Sequence, residues 1–226
     1  MTGMTLEARV IRHGDKYPST HPDPALANQL TEEGKIQANS FGAFLAESWY
    51  DYLVIVTSEE DRAIMTGAEI QQGYGSASYI QTESLLRQDA PDRMRQDLKK
   101  GLITRAALME QCYTMVRPEA LGNADEVKVM KDAAERYLSV ALQYIQVQRL
   151  PEQVQTALES AKKPIAVLVG HDPHIGGVEQ LLESRADLKE VRPLGGVRLI
   201  PKTGHVTYSF RNRAIQYTGI VPAELG

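Results

Sequence analysis

The sequence lacks most of the features that would set it apart from ordinary globular proteins. A single cysteine, Cys112, stands among 226 residues. No intramolecular disulfide can form, and a reducing compartment is expected. No stretch approaches the length of apolar residues that a membrane-spanning helix needs. The N-terminal residues MTGMTLEARVIRHGDKYP show no basic segment followed by an apolar run, so no secretory signal is read there. The expectation is a cytoplasmic protein. Positive charge is not in excess: 25 Lys and Arg face 29 Asp and Glu, a net charge of −4. A global attraction for nucleic acid or an anionic membrane is therefore excluded, and any polyanion site must be a local gathering of Arg and His. Internal repeats and low-complexity segments are missing. Neither a P-loop nor a G-x-G-x-x-G follows any strand-like run, so nucleotide cofactors find no support.

What is present is an average globular composition, 42% hydrophobic and 24% charged. The length suits one domain over residues 1–226 that can bury a core without staples. Short apolar runs alternate with helical patterns, the mark of α/β architecture. Residues 6–11 (LEARVI) read as a strand ending at Arg12-His13-Gly14. Three prolines make residues 15–30 a loop, and Thr31 is a candidate N-cap. The helix after it is expected to bury Ile36, Phe41, Phe44 and Leu45. Residues 52–56 (YLVIV) and 165–169 (IAVLV) are too short and too uniformly apolar for surface helices, and read as buried parallel strands. Between them, residues 61–72 form a helix that Gly73 is expected to stop. Residues 175–184 read as a further helix, and 195–210 as two strands around Lys202-Thr203-Gly204.

Residues 91 to about 151 contain no strand-like run. Asn123 to Glu126 resembles a capping box, and Val127, Met130, Ala134, Leu138, Ala141 and Ile145 keep a helical period. This region reads as a helical insertion. Cys112, in an apolar helical context, reads as core.

Three strand-like runs end in polar groups suited to phosphate: Arg12-His13-Gly14, Thr57-Ser58 followed by Arg62, and His171-Asp172. Ligands of open α/β sheets bind beyond the carboxyl ends of the strands. Singly, an Arg-His-Gly is more often a turn, Arg62 a solvated helix residue, and His171 a histidine at a sheet edge. Together they point to one phosphate pocket.

With VIRHG, LTEEGKIQA, SEEDRAIMTGAE and VLVGHDP in this order, the chain resembles the histidine phosphatase superfamily over roughly residues 6–86 and 164–210. The resemblance implies an α/β fold: a three-layer α/β/α sandwich with a mostly parallel central sheet and a helical insertion at about 91–151. It implies a metal-independent phosphatase acting on phosphomonoesters or phosphohistidine through a phosphohistidine on His13. Arg12, Arg62 and His171 would hold the phosphate, with Lys16 and Ser19 nearer the rim. The acid-phosphatase branch places an Asp after the second histidine, where Asp172 stands, and extends the first motif to Arg-His-Gly-x-Arg-x-Pro. Here that motif reads RHGDKYP, with Lys16 in place of the second arginine. The mutase-like branch has a Glu on the loop after the third strand, where Gln88 falls. Asp172 is favoured as general acid, with Asp89 and Glu83 as alternatives and a helix cap as the plain reading of Asp172. Phosphoglycerate-mutase-type phosphoryl transfer and a catalytically weak phosphate-binding interaction protein are the rival functions. The partner implied is a small phosphorylated substrate or a phosphoprotein, with no nucleic acid and no membrane. No cofactor is expected. His171, Asp172 and His174 offer too few zinc ligands, and His21 and His205 sit in no ligand spacing, so no metal is expected either.

Overall fold

The buried strands of this chain are apolar on both faces, and that property organises everything around them. A computed structural model describes residues 6–18, 21–87, 91–104, 107–108, 111–112, 115, 123–183, 191–212 and 215–222. Its strands are β1 (Glu7–Arg12), β2 (Tyr52–Thr57), β3 (Ser78–Thr82), β4 (Pro164–Gly170), β5 (Gly196–Lys202), β6 (His205–Asn212) and β7 (Ile215–Ile220). The helices among the described residues are α1 (Glu32–Glu47), α2 (Asp61–Tyr74), α3 (Asp92–Lys99), α4 (Ala124–Ile145), α5 (Glu152–Glu159) and α6 (His174–Glu183), with a 3₁₀ turn at Ser84–Leu86. None of these helices is long and apolar enough to cross a membrane.

All seven strands join one sheet in the order β3-β2-β4-β1-β5-β6-β7. The first four are mutually parallel, whereas β5, β6 and β7 run as an antiparallel meander from the edge of β1. The expectation of a mostly parallel sheet thus holds for one half only. The tight turn at Lys202–His205 forces β6 back along β5, and IQYTGI, with a glycine and polar residues blurring its alternation, follows as β7.

Alternation along the central strands divides the core in two. Ile11, Leu53, Ile55, Ile165, Val167 and Val169 pack with Ala38 and Leu45 of α1 and Ala63 and Ile70 of α2. Val10, Val54, Val56, Ala166 and Leu168 pack instead with α4, α5 and α6. A smaller cluster of Met94, Leu108, Cys112, Met115, Met130 and Ala134 belongs to the 91–151 region, and confirms Cys112 as a core residue.

Two helix expectations are corrected. In α1 the buried face is Gly34, Ala38, Gly42 and Leu45, while Ile36 is 66% and Phe44 48% exposed. The cause is the closeness of α1 to α2: a Cβ on residue 42 would lie 2.1 Å from the Ile70 carbonyl oxygen. Only the smallest residues fit such a seam, so the larger apolar ones turn outward. For the same reason Gly73 does not stop α2. It faces the Asn39 carbonyl within the helix, and the stop is Gly75, whose φ of 65° is left-handed. Both N-caps hold as expected. Thr31 Oγ1 accepts from Gly34 N at 2.9 Å, and Asn123 Oδ1 accepts from Asp125 N at 2.9 Å.

Neighbouring strands β1 and β4 lead in opposite directions, β1 through α1 towards β2 and β4 through α6 towards β5. A crevice at their carboxyl ends follows from this divergence. His13 and His171 are the residues that emerge there.

Candidate active site

Backbone ladders continue one residue past each strand and fix the site's frame. His13 N donates to Gly170 O at 3.1 Å, and Ser58 N donates to Val169 O at 3.1 Å. The ends of β1 and β2 are thereby pinned to the end of β4. Arg62 enters from the first turn of α2.

These four elements bring Arg12, His13, Arg62 and His171 into one buried cluster, none of them more than 8% exposed. The His13 and His171 rings lie 5.4 Å apart between centroids. His13 Nδ1 meets Gly14 O at 2.7 Å, so this nitrogen carries the hydrogen. Its Nε2 is left with a lone pair, which accepts from Arg62 Nε at 3.2 Å. Arg62 Nη2 lies 3.3 Å from His171 Nδ1, and Nη1 pairs with Glu60 at 3.0 Å. His171 Nε2 meets Ser58 Oγ at 2.6 Å. One turn along α2, the Thr66 hydroxyl donates to Arg62 O at 2.7 Å and accepts from Gly14 N at 3.0 Å, so one side chain ties α2 to the loop after β1.

Arg12 donates through Nη1 to Val191 O, and the same nitrogen stands 3.7 Å from Asp172 Oδ2. Asp172 is 3% exposed. Helix α6 begins at His174, two residues after Asp172. The Asp172 carboxylate belongs to the Arg12 side of the cluster. The His174 ring lies at a tilt against that of Tyr137, their centroids 5.1 Å apart.

The remaining expected residues lie further out or beyond view. Lys16 Nζ is held by Asn28 Oδ1 at 2.9 Å in the proline-rich loop. Glu83 pairs with Arg149 at 2.9 Å and caps the 3₁₀ turn through Leu85 N at 3.2 Å. The Tyr144 hydroxyl of α4 also reaches its carboxylate at 3.5 Å, while the Glu83 backbone N–H donates to Thr57 O at the end of β2. Ser19, Gln88 and Asp89 lie outside the described residues. Ser58 is one of the strand-end groups that the sequence offers for phosphate, although the sequence assigns it no role of its own. Thr66, one helical turn beyond Arg62, is not singled out by the sequence.

Both histidines are held neutral. Burial, and next the Arg62 guanidinium, push the His13 pKa well below its ordinary 6.5. His171 is lowered by the same two causes in the same order, with His13 and His174 adding to them. The sign for stability follows. Each imidazole is more basic unfolded than folded, so the folded form is fully favoured above about pH 6.5 and loses ground as pH falls below it. Urea midpoints measured at pH 7.5 and pH 5.0 should drop for the native protein, and drop less for His171→Asn. An equal drop in both would contradict a buried neutral imidazole at position 171.

No protein-family model matches the chain, and no curated protein sequence does. Similar solved structures exist. A mycobacterial glucosyl-3-phosphoglycerate phosphatase in complex with VO3 superposes with a TM-score of 0.54 at 18% identity, over 92% of this chain and 98% of that one. A protein described as mycobacterial hydrolase 1 gives 0.52 at 16% identity, over 96% of each chain. The phosphoglycerate mutase of Bacillus anthracis str. Sterne gives 0.50 at 13%, over 93% of each. The chain has the fold of the histidine phosphatase superfamily.

Proposed function

We propose that this protein is a metal-independent phosphatase of the histidine phosphatase superfamily, acting through a phosphohistidine on His13. We read the two helix sets as the outer layers of a three-layer sandwich, and the 91–151 helices as an insertion into one domain. One observation carries the functional reading: a neutral, buried His13 presents its Nε2 lone pair towards Arg62, with its other nitrogen fixed on Gly14 O. A merely structural histidine has no need of a guanidinium on its lone pair.

Phosphate would enter between the imidazoles and take over the Arg62 N–H groups that now point at them. Arg12 supplies a second fork. His13 Nε2 then attacks phosphorus, the bond from phosphorus to the leaving oxygen breaks, and that oxygen takes a proton from Asp172. Water completes the cycle. It loses a proton to the Asp172 carboxylate, attacks the phosphorus and returns His13 with orthophosphate. Ser58 helps here because a hydroxyl can either donate or accept. By donating to His171 Nε2 it lets Nδ1–H turn to a phosphate oxygen. Positioned cations and donors are what a dispersed phosphoryl charge requires.

Both kinds of named phosphatase and mutase neighbours use this fold, so substrate class is argued from the site alone. The acid beside the second histidine favours hydrolysis, and nothing in the described geometry favours the mutase. The test is phosphate release from phenyl phosphate. Turnover should persist in excess chelator and fall with micromolar orthovanadate. A protein that bound vanadate without releasing phosphate would instead be a phosphate-binding interaction module.

A further inference from the structure

A cavity of about 440 Å³, within the range of small-molecule sites, opens between α1 and the antiparallel half of the sheet. Its floor is a row of residues directly opposed across three strands: Arg9 of β1 against Arg198 of β5, and Arg198 against Ser209 of β6. Like charges facing each other across strands are unfavourable unless something answers them. Here one carboxylate answers both. Glu7 takes Arg198 at 2.6 and 2.7 Å and Arg9 at 3.4 Å, and the Tyr50 hydroxyl also donates to it at 2.7 Å. Two guanidiniums sharing one negative charge leave the row one charge positive, and Arg192 lines the wall. Apolar surface completes the lining. Phe41, Phe44 and Leu194 line it, and Arg9 lies over the two phenylalanine rings at 5.8 and 5.7 Å. Phe44 is 48% exposed, although it is one of the larger apolar residues of its helix.

The geometry points to a second ligand site: this cavity binds a small organic anion with a flat apolar body, an aromatic carboxylate being the simplest such molecule. The guanidinium row and the Ser209 hydroxyl meet the carboxylate, and Phe41, Phe44 and Leu194 cover the ring. Strand alternation separates it from the phosphate pocket, because Arg9 and Ile11 line the cavity while Arg12 turns towards Asp172. The inference does not depend on the phosphatase reading.

Calorimetric titration of the full chain with 2-naphthoate tests it. One equivalent should bind, 2-naphthol should bind at least tenfold more weakly, and excess orthovanadate should leave the titration unchanged. Ser209→Glu, which sets a carboxylate on the floor, should weaken binding at least tenfold, as should Phe44→Gln at a half-exposed position that folding tolerates. Equal binding of naphthol, displacement by vanadate, or native affinity in both variants would overturn the site.

Discussion

His13→Ala is expected to reduce phosphate release from phenyl phosphate by at least about 10⁴-fold, the scale of loss seen when a covalent nucleophile is removed. The acid-labile phosphoenzyme trapped by rapid quench should vanish with it. The reasoning is local. Nδ1 is committed to Gly14 O, so Nε2 is the nitrogen able to attack, and no other described side chain places a lone pair opposite Arg62 Nε. Folding should survive, because His13 belongs to the polar cluster at the strand ends rather than to either hydrophobic core. A variant that kept turnover within tenfold of native, or still formed a phosphoenzyme, would transfer the nucleophile's role elsewhere, with His171 next in line.

Asp172→Asn should separate substrates by their leaving groups. A general acid contributes about 10²–10⁴-fold where the departing oxygen is a poor leaving group. An alkyl phosphate should therefore slow by roughly that factor, while nitrophenyl phosphate should slow by less than about tenfold. The carboxylate lies 3.7 Å from Arg12. In the proposed mechanism Arg12 would serve the acid and the phosphate together. Equal losses on both esters would mean that Asp172 only positions Arg12. Glu83→Gln is the control. Its carboxylate is engaged by Arg149 and the 3₁₀ turn, so its loss should cost stability before it costs leaving-group dependence.

The parts of this site that could be read from the sequence are those created by strand ends. Arg12-His13 and His171-Asp172 follow buried apolar runs directly, and a parallel sheet brings such ends to one edge whatever the loops do. Side-chain partnership across the edge was hidden. Ser58 and His171 meet at 2.6 Å although 113 residues separate them. The helices show a different limit. A 3.6-residue period identifies α1, but not which stripe faces inward when the packed stripe is Gly34, Ala38 and Gly42. Hydrophobicity then points to Ile36 and Phe44, whereas space selects the glycines. Gly73 and Gly75 likewise look alike in sequence, and only the neighbouring Asn39 carbonyl distinguishes a packed glycine from a helix stop.

That glycine seam also governs how accurately His13 and Arg62 can be held relative to each other. A Cβ on Gly14 would meet Gly34 O at 2.9 Å, one on Gly34 would meet Asp15 O at 2.1 Å, and one on Gly42 would meet Ile70 O at 2.1 Å. The loop after His13 therefore seats on α1, and α1 seats on the helix that carries Arg62, through main chain against main chain. Side chains at such joints could hop between rotamers and pass that jitter on; these joints contain no side-chain torsion at all. The spacing between His13 Nε2 and the Arg62 guanidinium is set like a dimension machined between hard stops.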